Sequence, residues 1–526
     1  MNHEVTLYDT TLRDGSQAEG INFSASDKLR IAERIADFGM HYIEGGFPGS
    51  NSKDIEFFQQ AARMNWGNCK IAAFGSTRKP GANVDEDDQM KALLDSEAPV
   101  ITFVGKSSHF QVTDVLRTTL DENLKMLSDT TAFFKKHSRE VLYDAEHFFD
   151  GYRENPEYTL SCLKAAADAG ADYVVLCDTN GGRLPEEIRE ATEAAIEAVS
   201  CRVGIHTHND SGVGVANALA SIQAGASQVQ GTVNGYGERT GNCNLTTVIP
   251  ILELKTDHTV LPEGRLSQLS EVSRFVDEIA NQNHDIRAPF VGQASFAHKG
   301  GMHANAVTKS STSYEHIDPS LVGNFRRILV GEQSSRSNIM LKAKEMGVDI
   351  HNKSPEARRM LDRIKSLEND GYEFEAADAT FELLLKRELE QYQAWFDLEE
   401  YHVSMRKNNV HGFTNCEATV KIRIDGEIIH NVSNGDGPVN ALDNTLRLAL
   451  QQKYPEIGEM RLSDYKVRIV NSSTGSASRI RVLIESSDGE TDWGTVGVSD
   501  NVIDASWLAL VDSVEYFLNI RHNGKG

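Results

Sequence analysis

From Val5 onward, short runs of β-branched and apolar residues alternate with longer stretches in which apolar positions recur every three to four residues. The short runs predict strands at Val5–Tyr8, Tyr42–Gly45, Lys70–Phe74, Val100–Val104, Glu140–Asp144, Tyr173–Cys177, Val203–His206 and Gln228–Val233. The longer stretches predict helices over Asp27–Phe38, Asp54–Met64, Asp114–Lys136, Pro156–Ala169, Pro185–Val199 and Val213–Ala224, the first capped by Ser26 or Asp27. Eight alternations within roughly 250 residues predict an α/β chain folded as a (β/α)8 TIM barrel, with an open parallel sheet as the alternative.

After about residue 255 the strand alternation stops. Helical patterns follow over Arg265–Gln282, Ser337–Glu345, Pro355–Asp370 and Ala376–Trp395, interrupted by a polar loop, Ala297-His-Lys-Gly-Gly-Met-His-Ala-Asn305. The last part alternates strands with two helices and contains a weak duplication: Gly435–Ala441 lines up with Ser499–Ala505, each between strand-like and apolar helical sequence. This predicts a strand-strand-helix unit used twice in a small α+β domain. The expected organisation is a catalytic barrel over 1–285, helical linker subdomains completing the active site over 286–400, and a C-terminal regulatory and dimerisation domain over 401–526.

Composition narrows the class. The chain has 526 residues, 40% hydrophobic and 25% charged, as in soluble globular proteins. It has no apolar run long enough to span a bilayer and no basic-then-apolar leader at its start, so a cytoplasmic location is expected and no membrane partner. Six scattered cysteines without a CxxC pair argue against a disulfide framework and a thiolate zinc site. With 77 acidic against 53 basic residues the net charge is −24, without a compact basic block, which excludes broad nucleic-acid binding.

The candidate chemistry sits immediately after the strands, where a barrel builds its active site. His206 and His208, at i and i+2, project from one face of a strand and serve equally well as a polar pair or as two metal ligands. Asp14 after the first strand and Asn242 after the eighth come from adjacent staves and turn the pair into a mixed oxygen and nitrogen set. Such a set favours Mg2+ or Mn2+, with Zn2+ also open. Arg13 adds a fixed positive charge that polarises a ketone, or else a structural ion pair. A carbanion route needs a base, for which Glu146 and His303 are candidates. Thr179, before an Asn-Gly-Gly turn, is a candidate for holding a carboxylate or for capping.

Leu12-Arg13-Asp14-Gly15-x-Gln17 followed after ten residues by Lys28, and Val203-x-x-His206-x-His208-Asn209-Asp210-x-Gly212-x-Gly214-x-Ala216, resemble the two signatures of the α-isopropylmalate and homocitrate synthase family. The resemblance covers nearly the whole chain. It implies a metal-dependent enzyme that condenses acetyl-CoA, as co-substrate, with a 2-oxo acid and then hydrolyses the thioester. Glu44–Asn51, Tyr143–Gly151 and Val322–Val330 are most similar to the bacterial branch whose acceptor is pyruvate and whose product feeds isoleucine synthesis; Phe47 stands where tryptophan is expected, a conservative change.

By position, the resemblance implies metal binding by Asp14, His206, His208 and Asn242, ketone activation by Arg13 and carboxylate binding by Thr179. His303, from the partner subunit's linker, would promote loss of a methyl proton from acetyl-CoA, assisted by Glu146, Asn305 or Tyr314. Asp144, near a position that is aromatic in some relatives, would restrict the acceptor to a methyl side chain together with Phe74 and Val104. A homodimer or higher homo-oligomer, with isoleucine or a related amino acid as effector at 401–526, is implied as well. The alternatives are an isopropylmalate synthase using 2-oxoisovalerate, a carbon–carbon lyase of the same barrel superfamily, and a non-catalytic scaffold that retains the barrel.

Overall fold

The computed structural model describes residues 5–331, 336–346, 355–408, 413–470 and 478–523. The chain divides into two compact units, one running to Phe296 and including Ile317–Phe325, the other formed by Ala297–His316 and the chain from Arg326.

In the first unit, β1 (Thr6–Asp9), β2 (Tyr42–Gly46), β3 (Lys70–Ser76), β4 (Val100–Lys106), β5 (Glu140–Glu146), β6 (Tyr173–Asp178), β7 (Arg202–Thr207) and β8 (Gln228–Gly231) form a closed parallel barrel in sequence order. Closure runs from Thr6 opposite Gln228 to Asp9 opposite Gly231. Around it lie α1 (Ala25–Phe38), α2 (Ser52–Ala61), α3 (Asp88–Asp95), α4 (Leu120–Lys136), α5 (Phe148–Glu154), α6 (Pro156–Asp168), α7 (Pro185–Ala198), α8 (Gly214–Ala224) and α9 (Leu245–Lys255), then α10 (Leu269–Ile279).

Strands covered on both faces read as nearly continuous apolar runs. Here the inward residues Tyr8, Tyr42, Ala72, Val100, Leu142, Tyr173 and Val175 fill the barrel. Outward residues such as Leu7, Ile43, Ile71, Ile101, Val141, Val174 and Ile205 pack with the helices in a separate, larger core. Toward the strand C-termini the buried inward positions turn polar, with Glu44, Thr102, Asp144, His206 and Gln230. The apolar floor thus supports a polar mouth.

Several local expectations change. Ser24, not Ser26 or Asp27, caps α1, in a reciprocal capping box with Asp27 as its third helical residue. The stretch from Asp114 to Lys136 is two elements: a wide turn over Gln111–Val115, and α4, which starts only after Arg117 takes a left-handed conformation (φ 57°) and Thr119 provides the cap. Helices α3, α5 and α9 were not among the predicted set. The first two are too short to display several repeats, and α9 is apolar on most faces and contains Pro250.

In the second unit, β9 (Ala297–His298) pairs in parallel with β10 (Arg327–Ile328), and α11 (Gly301–Lys309) follows β9. The expected polar loop is therefore half helix, and Ala304 and Val307 supply its buried stripe while Met302 is 81% exposed. Then come α12 (Arg336–Glu345), α13 (Pro355–Asn369) and α14 (Asp378–Glu388). The last ends seven residues before Trp395, with Glu390 left-handed (φ 58°) just beyond it.

The C-terminal part holds the antiparallel sheet β11 (Asp397–Asn408), β12 (Phe413–Ile424), β13 (Glu427–Gly435) followed by α15 (Pro438–Gln451). A second sheet, β14 (Arg461–Ile469), β15 (Ile480–Ser487), β16 (Asp492–Ser499), is followed by α16 (Val502–Asn523). The duplicated unit therefore has three strands before its helix, not two. No described residue of β11 or β14 is buried, and this weakens their apolar signal. Among the described residues no helix is long and apolar enough to cross a membrane.

Candidate active site at the barrel mouth

The loop after β1 is shaped by a buried carboxylate. Asp9 accepts from the Thr11 backbone N–H (3.0 Å) and hydroxyl (2.9 Å), and the Thr11 oxygen accepts from Val233 N–H (2.9 Å), tying this loop to the turn after β8. Burial pushes the Asp9 carboxyl up to about 7, against those Thr11 hydrogen bonds. An unfolded aspartate titrates near about 4. The folded protein thus retains a proton that the unfolded chain releases between those values, and stability falls as pH rises through that window. Asp9→Asn keeps the shape of the acid and is expected to lack this slope. Its advantage over the parent in denaturant unfolding should grow by about 3 kcal/mol between pH 5 and 8. A constant difference across that range would mean that Asp9 is ionised in the fold.

Four residues further, Arg13 and Asp14 reach the mouth. The Arg13 Nε donates to Glu44 Oε1 (2.5 Å), and its guanidinium lies over the Phe74 ring at 3.7 Å; Phe74 in turn meets Phe47 edge-on at 6.0 Å. Glu44 is fully buried and also accepts from the Tyr8 hydroxyl (2.5 Å) and the Thr10 hydroxyl (2.7 Å). Lys28, a motif residue, sits elsewhere: its ammonium is buried between Gly45 O (3.0 Å) and the Asp54 carboxylate, fixing the chain after β2.

Asp14, His206 and His208 converge, each offering a ligand atom within 4.8 Å of the others. His206 Nε2 is 3.3 Å from Asp14 Oδ2, while its Nδ1 faces Gln230 Oε1 at 2.9 Å, which directs Nε2 toward the mouth. Asn242 pairs with His208 in an isolated bridge, and its Nδ2 donates to Tyr236 O (3.0 Å). Burial raises the proton affinity of Asp14, but Arg13 and His206 outweigh it and hold this carboxyl well below the usual range. Burial disfavours a charged His206, yet Asp14 pushes its pKa up; burial, then repulsion from His206, pushes His208 down to about 4.

Two atoms carry the case for an ion here. His208 Nδ1 and Asn242 Oδ1 are buried without a hydrogen-bond partner. Orphaned buried acceptors are rare, and a cation satisfies both. The two-nitrogen, two-oxygen donor set fits Mn2+, Mg2+ or Zn2+.

The remaining expected residues fall into two groups. Thr179 follows β6, and its oxygen accepts the His147 N–H at 2.8 Å; Glu146 ends β5 and pairs with Lys106. Asp144 lies inside the barrel, opposite Val104 in the β4–β5 register, and receives Gln230 Nε2 at 3.1 Å. Burial pushes its carboxyl up to about 7, against the pull of His206 and Arg13. His303 and Asn305 lie exposed on α11, in the second unit, where the His303 ring stacks on Tyr314 at 4.1 Å.

Sequence reasoning did not single out Glu44, Gln230 or Asp9 as site residues. Alternation along β2 and β8 signals the first two, because a charged or amide side chain at an inward barrel position must find a partner.

Comparison with known proteins agrees with this architecture. The HMGL-like family model matches residues 4–276, the homocitrate synthase post-HMGL domain-like model 290–371, and the LeuA allosteric (dimerisation) domain model 375–518. The chain is 53% identical to the (R)-citramalate synthase of Aquifex aeolicus over 519 residues, covering 98% of each. It is 48% identical to the (R)-citramalate synthase of Geobacter sulfurreducens, again covering 98% of each. The 2-isopropylmalate synthase of Shouchella clausii is 29% identical, covering 99% of this chain and 98% of its own. Similarity at this level over 98% of the chain means that the chain belongs to the (R)-citramalate synthase family.

Proposed function

We propose that the protein condenses acetyl-CoA with pyruvate and hydrolyses the thioester, releasing (R)-citramalate and CoA, with Asp14, His206, His208 and Asn242 holding a divalent cation. The observation that carries the reading is the convergence of Asp14, His206 and His208, with His208 Nδ1 buried and partnerless and, across the bridge from His208, Asn242 Oδ1 likewise. When bound, such an ion polarises the carbonyl of a chelating 2-oxo acid. Arg13, preoriented by Glu44 and Phe74, supplies fixed positive charge where negative charge develops on the former carbonyl oxygen. Thr179 accepts from His147 and so keeps its own O–H to donate to the substrate carboxylate.

A base removes a methyl proton from acetyl-CoA, the enolate carbon bonds to C2 of pyruvate, and water then cleaves the thioester. The proton transfer is assigned to His303 with Tyr314, supplied by the partner subunit's linker as the family resemblance implies, with Glu146 and Asn305 assisting. Asp144, Val104 and Phe74 are assigned to the wall that admits a methyl group. Higher identity to (R)-citramalate synthases than to isopropylmalate synthases favours pyruvate over 2-oxoisovalerate. Thiol release from acetyl-CoA with Mn2+ is expected with pyruvate and not with 2-oxoisovalerate or 2-oxoglutarate; preference for 2-oxoisovalerate would overturn the acceptor assignment.

The reading extends to a cytoplasmic homodimer in a route to isoleucine, with divisions near 285 and 400 separating catalytic, linking and regulatory segments. The LeuA allosteric (dimerisation) domain similarity supports a regulatory C-terminal part. Isoleucine is expected to slow thiol release by the intact chain, while leucine at the same concentration leaves it unchanged. An equal response to both would assign this part a different effector.

A further inference from the structure

Asp277 lies on α10, outside the barrel strands and one residue past the match to the HMGL-like family model. It is buried, and its two oxygens take three donors. Oδ1 accepts from Asn234 Nδ2 (2.7 Å) and from the Tyr236 hydroxyl, and Oδ2 faces His284 Nδ1 at 2.6 Å. Asn234 is further held by Ser273, whose hydroxyl donates to Asn234 Oδ1 (2.6 Å) and whose carbonyl accepts from its Nδ2 (2.9 Å). This grip falls on a loop with little freedom. Asn234 is left-handed (φ 61°), a Cβ on Gly241 would lie 1.9 Å from Gly235 O, and one on Gly237 would lie 2.1 Å from Asn242 Nδ2.

The anchored Tyr236 carries the carbonyl that matters. It accepts from the Thr232 hydroxyl (2.7 Å) and from Asn242 Nδ2 (3.0 Å). With its nitrogen committed, the Asn242 amide presents its oxygen, buried and partnerless, beside His208. An amide oxygen can ligate a hard cation and an amide NH2 cannot. We propose that Asp277 is a positioning residue for the cation site: through Tyr236 it fixes which face of the Asn242 amide meets the ion. This rests on the reading of Asn242 as a ligand.

The test titrates Mn2+ alone into the metal-free intact chain by calorimetry, with urea unfolding measured in parallel. Asp277→Asn and Tyr236→Phe are each expected to weaken Mn2+ binding about tenfold, in the range of other outer-shell partners. In an Asn242→Ala background Asp277→Asn is expected to cause no further loss, because the amide it orients is gone. Unchanged Mn2+ affinity in both single variants would overturn the proposal. So would an undiminished tenfold loss in the Asn242→Ala background, which would make Asp277 a general support of the loop. Should Asp277→Asn fail to fold, Tyr236→Phe carries the same comparison. A parent chain without Mn2+ affinity would bring down the ligand reading itself, whereas tight parental binding that neither variant alters brings down the Asp277 proposal alone.

Discussion

Asp14→Ala is expected to lower Mn2+-dependent release of CoA from acetyl-CoA and pyruvate by about 1,000-fold or more while leaving the barrel folded. The asymmetry follows from the contacts. Asp14 is almost fully buried, and its side chain meets Arg13 (3.4 Å) and His206 (3.3 Å) rather than any backbone group that shapes the loop. Its backbone does the local structural work, through the turn that Gly15 N–H makes to Thr10 O and the contact of Asp14 N–H with the Thr10 hydroxyl. Removing the carboxylate leaves Arg13 paired with Glu44, so no buried charge is orphaned, and the cost of burying Asp14 itself disappears. The measurement pairs thiol release with circular-dichroism melting. Parental turnover in the folded variant would remove Asp14 from the site.

The pattern of the chain carried the barrel because each strand repeats the same constraint. Two covered faces force apolar residues at successive positions, and eight such runs in order leave few topologies. The convergence of Asp14, His206 and His208 was legible for a related reason: they stand at strand ends, and a barrel brings strand ends together regardless of sequence separation. The missed features depend on partners that spacing does not encode. Glu44 needs Tyr8, Thr10 and Arg13, and Gln230 needs both His206 and Asp144, so alternation marks each as an inward polar residue but its partners appear only once β1, β2, β5, β7 and β8 are closed around one axis. The loop at Ala297–Asn305 was misjudged because its glycines and histidines mask a short buried stripe, Ala304 and Val307, within a single two-turn helix. The third strand of each C-terminal repeat was hidden for a different reason: no described residue of β11 or β14 is buried, so neither strand presents a covered apolar face to mark it.

Arg13→Ala is expected to damage both turnover and stability, and a second substitution separates the two effects. Arg13 is 14% exposed and Glu44 not at all. With the guanidinium gone, Glu44 retains only the Tyr8 and Thr10 hydroxyls, and a buried carboxylate that has lost its cation costs about 3 kcal/mol or more. Turnover falls as well, by about 100-fold or more, because the fixed charge beside the developing alkoxide is lost. Arg13→Ala with Glu44→Gln removes the orphaned charge while keeping an oxygen to accept from one hydroxyl and an NH2 to donate to the other. Denaturant unfolding should therefore return toward the parent, and thiol release should not. Arg13→Lys is an intermediate case: it keeps the charge but gives up the planar stack on Phe74 and the directed Nε–H to Glu44, so it should retain most of the stability and little of the rate. Recovery of both stability and turnover in the double variant would mean that Arg13 serves only to neutralise Glu44. Recovery of stability alone assigns the guanidinium two separable jobs, of which only the neutralising one can be passed to an uncharged pair.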